Sequence, residues 1–318
     1  MSLKRSQILY HYCSLDTFFS IVKSSSIWLS DVKKSNDSKE MKWLRHKYYY
    51  YILEKYKETN DENIKSICEI ILSMSTKDDF QECPAWLLPA CGKTAEQIFD
   101  IFNSLRVYTF CLSQKFDSLG QWRGYADGGQ GVAIGFSKSY LNAVKGRGLL
   151  CPISNFIFGN ISYKTEFTSL FDSIFSMHDQ TNVAEFVFKN LQDITHISAL
   201  FKSPSFKEEK EWRIVCSMSD YGLTKEMLHF ENFDMVSTPT FKKKFSTPRI
   251  DYCIKKSDII PHVELKFNDM SKAVKSIVLG PKCNATEKDI YHLLLNLGWD
   301  SKTLESDVEI IRSESSYR

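Results

Sequence analysis

Apolar positions in the first thirty residues change rhythm twice. Residues 8–12 (Ile-Leu-Tyr-His-Tyr) form a short β-rich run. Leu15, Phe18, Phe19 and Val22 then fall at i, i+3, i+4 and i+7, the spacing of one helix face. Ser14 stands at the expected N-cap, where its hydroxyl can accept from a free first-turn amide. Residues 27–30 return to a strand pattern. The opening therefore reads as strand, helix, strand.

Helical spacing dominates the next stretch. Asp37 and Glu40 have capping-box spacing, and Leu44, Tyr48, Tyr51, Ile52 and Tyr56 continue on one side. More helix is expected over residues 64–74 and 94–105, with a proline-bounded break at 84–89. Residues 37–105 thus predict a helical insertion. Strand patterns resume at 107–113 and 131–136, helical spacing covers 167–201, and short strands are expected at 161–164, 252–254, 263–266, 276–279 and 308–311. A last helix over 286–297 stops at Gly298, a residue suited to ending helices. Short strands divided by long helical blocks predict an α+β fold: a mixed β-sheet core with large helical insertions, in a single domain over residues 1–318.

Composition narrows the class. The 318 residues are 43% hydrophobic and 25% charged, which is enough for a buried core and excludes a disordered chain. The net charge of +2 neither demands nor excludes nucleic acid, and the runs Lys242-Lys243-Lys244 and Lys255-Lys256 are short enough to be solvated faces. The nine cysteines are dispersed, with no Cys-x-x-Cys pair, so reduced thiols and no zinc site are expected. No stretch reaches the ~18 apolar residues of a spanning helix and no signal peptide is read, so a cytoplasmic protein without membrane contact is expected.

Candidate chemistry gathers in three segments. His11 lies on the first strand, facing away from Tyr10 and Tyr12, just before a helix start where ligands are often held. Residues 117–131 pack five of the thirteen glycines together with Trp122, Arg123 and Tyr125. Either aromatic could stack on a planar ring, Arg123 could fork onto a phosphate, and glycines admit close backbone approach. The same stretch equally describes a glycine-rich loop with Trp122 plugging the core. Glu208-Glu209-Lys210-Glu211-Trp212-Arg213 leads into a strand. If extended, it puts Glu209 and Glu211 on one face, a pairing suited to acid–base work or to stabilising a developing cation. The alternative is a charge run, with Arg213 pairing structurally to Glu211.

Several segments together resemble the bacterial family called domain of unknown function 2971. They are residues 9–15, 27–31, 36–37, 110–113, Trp122-Arg123-Gly124-Tyr125, 131–136, 201–202, 206–213, 279–281 and 316–318. The family's setting among bacterial stress and anti-phage genes implies an effector function. A deeper resemblance is to His–Tyr–Glu ADP-ribosyltransferases, which open with a strand bearing His, then helix and strand, and place a Glu at the start of a later strand. That likeness implies cleavage of the nicotinamide–ribose bond of NAD as substrate, with no metal. His11 would contact ribose, and Ser14 would lie beside it. Tyr125, or failing that Trp122, would stack on nicotinamide with Arg123 nearby. Glu211 would stabilise the transition state and Glu209 would activate the acceptor, which is protein or nucleic acid. If the protein is a toxin-like effector, the length and position of the helical insertion over residues 37–105 make it the candidate docking site for a regulatory partner. Unchanged regulation after deleting that insertion would contradict this docking.

Two other classes are open. In one, Trp122, Arg123 and Tyr125 belong to a non-catalytic module binding a nucleotide or partner. In the other, the glutamates and Asp117 or Asp127 hold Mg²⁺ in a nucleic-acid enzyme.

Overall fold

The computed structural model describes residues 5–34, 41–74, 105–147, 157–177, 180, 183–219, 250–255 and 258–317. Its strands are β1 (Ile8–Cys13), β2 (Ser26–Asp31), β3 (Leu105–Ser113), β4 (Val132–Ser137), β5 (Ile157–Asn160), β6 (Glu211–Ser219), β7 (Ile250–Lys255), β8 (Asp258–Lys266), β9 (Val274–Leu279) and β10 (Glu309–Arg312). The helices are α1 (Leu15–Ser24), α2 (Lys42–Glu58), α3 (Glu62–Met74), α4 (Leu119–Tyr125), α5 (Lys138–Arg147), α6 (Thr168–Ser176), α7 (Val183–Ser198), α8 (Met270–Ala273), α9 (Glu287–Asn296) and α10 (Ser301–Asp307).

The expected α+β fold is present, built on one mixed sheet. Strand order is β10-β9-β4-β1-β3-β2-β8-β7, with β6 also paired to β3 and β5 paired to β6. Every pair is antiparallel except β10–β9. The hub is β3. One of its edges is filled by β6 along its whole length, from Leu105↔Ser219 to Ser113↔Glu211. The other edge is shared: β1 takes Ser113 through Tyr10, while β2 takes Thr109 and Tyr108. The sheet therefore forks beside residues 110–112.

Side chains alternate across a strand, so this register defines two faces. On one, Leu9, Phe110, Leu112, Ile134 and Ile277 meet Phe18 and Val22 of α1 and Leu294 of α9 in the largest core. Each such side chain contributes roughly 1.5–3 kcal/mol when fully buried. On the other face, Tyr10, Tyr12, Ala133 and Val278 enclose Trp122 of α4, and Val107 and Val215 form a small cluster with Val32, Met41 and Ala199. Helices α2, α3, α6 and α7 have a core of their own, with Leu44, Ile52, Ile71, Phe171, Phe186 and Leu191 in it. Inside it the Tyr48 hydroxyl donates to Asn190, which satisfies two polar groups that burial would otherwise penalise.

Several expectations change at their edges. Leu105 opens β3 instead of ending a helix, and residues 94–104 lie outside the described residues, as do Asp37 and Glu40. The helical pattern over 167–201 is two helices, and at 161–164 only Ser162 makes a bridge, to Phe201. Among the described residues no helix is long and apolar enough to cross a membrane.

Candidate functional site

The glycine-rich segment folds on itself. It forms α4 and a 3₁₀ turn, not a hairpin loop. Asp117, with φ at 54°, turns its carboxylate inward. There it accepts from Trp122 Nε1 at 2.7 Å, from the Glu314 amide at 2.8 Å and from Ser313 Oγ. Trp122 is fully buried, edge-on to Tyr12 with centroids 4.7 Å apart. This corrects its candidacy as a stacking platform: both ring faces lie in the core and its one donor is spent. Asp117 is likewise committed to this corner, so it does not offer itself to a cation. The glycines bring backbone to backbone. A Cβ at Gly131 would sit 2.1 Å from the Cys13 carbonyl oxygen, and one at Gly280 would sit 2.2 Å from that of Gly129. Arg123 is on the exposed side of α4, with its guanidinium 5.9 Å from the Tyr317 ring.

Tyr125, one turn on, goes elsewhere. It is 43% exposed, and its hydroxyl donates to Glu209 Oε1 at 3.0 Å. Burial, then the Glu209 charge, raises its pKa, so the phenol keeps its proton as a donor.

Glu209 ends a 3₁₀ helix (Pro204–Glu209) and Glu211 begins β6, with Lys210 between them in the left-handed region at φ 43°. The two carboxylates converge because of this kink, where the sequence had suggested a shared face of an extended segment. Lys202 binds both: its Nζ lies 2.8 Å from Glu209 Oε2 and 3.3 Å from Glu211 Oε2. Arg213 forks onto Glu211, Nε to Oε1 at 2.6 Å and Nη2 to Oε2 at 3.1 Å, and Nη1 donates to the Ala199 carbonyl at 3.0 Å. Lys202, Glu211 and Arg213 are all buried. Burial pushes the Glu211 carboxyl upward, but Arg213 and then Lys202 outweigh it and hold the group below its ordinary value. Backbone bonds lock the frame: the Glu211 amide donates to the Tyr163 hydroxyl at 3.0 Å, and Ser113 Oγ donates to the Glu209 carbonyl at 2.7 Å.

His11 lies on the other face. Tyr10 pairs with Ser113 and Ser113 with Glu211, so Tyr10 shares the glutamate's face and His11 does not. Its half-buried ring stacks on Phe110 at 4.1 Å, and Nδ1 stands 2.9 Å from the Cys111 carbonyl. A carbonyl only accepts, so Nδ1 carries the proton. Burial lowers the His11 pKa to about 4, and the ring is neutral near pH 7. His11 and Glu211 therefore lie on opposite faces of the sheet, on either side of Cys111. The thiol of that residue lies 3.9 Å from Thr109 Oγ1 and is exposed although β3 is a central strand. Ser14 caps α1, accepting from the Thr17 amide at 3.1 Å.

The structure thus joins Tyr125, Glu209 and Glu211, and separates Trp122, Ser14 and His11 from them. The sequence reading assigned no role to Lys202, Tyr163, Ser113 or Cys111. Lys202 had a legible signal: two carboxylates beside a single arginine leave one negative charge to neutralise if both are buried.

Residues 121–214 match the model of a family described as protein of unknown function (DUF2971). The matched span runs from within α4 into β6 and includes Tyr125, Lys202, Glu209, Glu211 and Arg213, but not His11. No curated protein and no solved structure matches the chain.

Proposed function

We propose that the Tyr125–Glu209–Glu211 cluster is the reacting centre of an ADP-ribosyltransferase-like enzyme that cleaves the nicotinamide–ribose bond of NAD. The observation that supports it is the convergence, through Lys202, of an exposed aromatic and two carboxylates on the open side of β3. Tyr125 supplies the ring against which nicotinamide lies. As the C1′–N bond breaks, its electron pair leaves on the nicotinamide nitrogen and positive charge grows on the ribose. Glu211, held ionised by Arg213, faces that charge as a fixed dipole source. Glu209, at the rim, accepts the proton of the incoming hydroxyl or water as the new C1′–O bond forms. His11, on the opposite face of the sheet, takes no part in the reaction on this reading. The acceptor is a protein or nucleic-acid hydroxyl, or water, and the setting is a bacterial stress or anti-phage effector.

The test is nicotinamide release from NAD, followed by chromatography, for the wild-type protein and Glu211→Gln, with a thermal melt of each. Release lost in a folded variant supports the proposal. Absence of release from wild type, with and without cell extract, overturns it.

A second reading, a non-catalytic nucleotide- or partner-binding module, is favoured by one observation: every Glu211 oxygen is already bound by Arg213 or Lys202. On that reading Glu211–Arg213 is a strut, and ligands meet Tyr125 and Arg123 without turnover. Wild-type protein that binds NAD by calorimetry yet releases no nicotinamide would select it.

A further inference from the structure

The β7–β8 hairpin ends the sheet among the described residues, and it is unlike the rest of the molecule. Tyr252 is 60%, Ile254 82% and Ile259 61% exposed. The register Tyr252↔Pro261 and Ile254↔Ile259 puts all of them on one face. An apolar edge strand left open is a template for another strand.

The direction of the β7 edge follows from its ladder. Lys255 pairs with Asp258 and two residues separate them, so this pair is expected to exchange both backbone bonds. Bonding then alternates: residues 251 and 253 face β8, while the amides of 250, 252 and 254 face outward. Two observations agree. The Tyr252 amide donates to its neighbour's carboxylate, Asp251 Oδ1, at 2.9 Å. Its cross-strand partner is Pro261, which has no amide to offer and is tolerated where no ladder bond is needed.

The sequence along this edge, Asp251-Tyr252-Cys253-Ile254-Lys255, is complementary to itself when reversed. We propose that two copies of this chain associate through β7, antiparallel, about a two-fold axis at Cys253. In that register Asp251 stands opposite the partner's Lys255 and Tyr252 opposite the partner's Ile254, each pair occurring twice. Opposite charges and apolar pairs in these cross-strand positions stabilise a sheet. Tyr252 and Ile254 lie on the same face in both copies, so each packs against the partner's counterpart across the seam. A two-fold contact of this kind closes and does not propagate. The edge is short, so the dimer belongs to the small-interface class and is weak and reversible.

Cys253 is a reporter for the register. Opposed residues 253 form a non-bonded pair with Cα atoms about 4.5 Å apart, within the range a disulfide bridges. The experiment uses the full chain in sedimentation equilibrium over a concentration series. Alongside it, a mixture of ¹⁴N- and ¹⁵N-labelled protein is treated with diamide, which takes the two thiol hydrogens as the S–S bond forms, and is mapped by mass spectrometry. The expected results are a reversible dimer and a mixed-isotope Cys253–Cys253 disulfide. Asp251→Lys, which opposes like charges twice, weakens association by about 10-fold, and Asp251→Lys with Lys255→Asp restores it. Circular dichroism of both variants controls for folding. A monomer throughout, a crosslink confined to other cysteines, or a charge swap that fails to restore the dimer would each overturn the proposal. Those outcomes would leave the edge to another occupant.

Discussion

The two faces of β1, β3 and β6 are made by the same strands and differ in what covers them. On the face of His11 and Phe110, helices α1, α9 and α10 close an apolar core, and the His11 ring is kept neutral. On the face of Tyr10 and Glu211, apolar clusters stand at both ends and a charged network stands between them. There the sheet forks, and Cys111 is exposed in mid-sheet. The contrast teaches that the same strands carry a closed apolar core on one face and hold a charged network beside the fork on the other. It also shows what the charged face requires: Glu211 is kept in place only because two cations satisfy it.

Arg213→Met breaks the comparison hardest. It leaves Glu211 buried with Lys202 alone, and loss of one partner of a buried pair costs about 3–5 kcal/mol. Urea unfolding of the variant should show a midpoint lowered accordingly. Glu211→Leu with Arg213→Met should recover most of that loss, because no charge is then left buried. A double variant as unstable as the single one would mean that the network does more than balance charge.

The opposite face responds to pH. The folded pKa of His11, about 4, lies below the unfolded value near 6.5. Its contribution is therefore present above pH 6.5 and is lost as pH falls from 6.5 towards 4. The ring is half-buried, so the loss is roughly 2 kcal/mol. It should appear as a fall in melting temperature over that window, flattened in His11→Gln. A profile unchanged by that substitution would place the sensitivity elsewhere.

The smallest effect belongs to Tyr125→Phe. It removes one exposed hydroxyl from Glu209, so stability should change by only about 0.5–1 kcal/mol. A loss several times larger in thermal unfolding would make Tyr125 part of the frame rather than of the rim.

Much of the strand–helix–strand opening was legible, because Leu15, Phe18 and Val22 repeat at helical spacing and Ser14 caps them as expected. The convergence of Glu209 and Glu211 was also expected, yet for a different reason. Alternation along a strand was the only rule available, whereas a left-handed Lys210 brings the carboxylates together. The position of His11 was not legible. Which face it shares depends on pairing with β3, about a hundred residues later, and no local pattern records that register. Trp122 was left open between platform and plug. The deciding fact is that Asp117 and the segment after β10 close over it, a contact between residues nearly two hundred positions apart.

The most direct test of the functional account sets one residue of each face against the other. Nicotinamide release from NAD is measured for Glu209→Gln and His11→Gln at pH 7.5, where His11 is neutral in the folded protein. The account predicts a fall of about 10²-fold or more for Glu209→Gln, the loss of a proton-accepting group, and near wild-type release for His11→Gln. Release that survives in Glu209→Gln, or that is abolished in a folded His11→Gln, would contradict the assignment of the chemistry to the Tyr125–Glu209–Glu211 face.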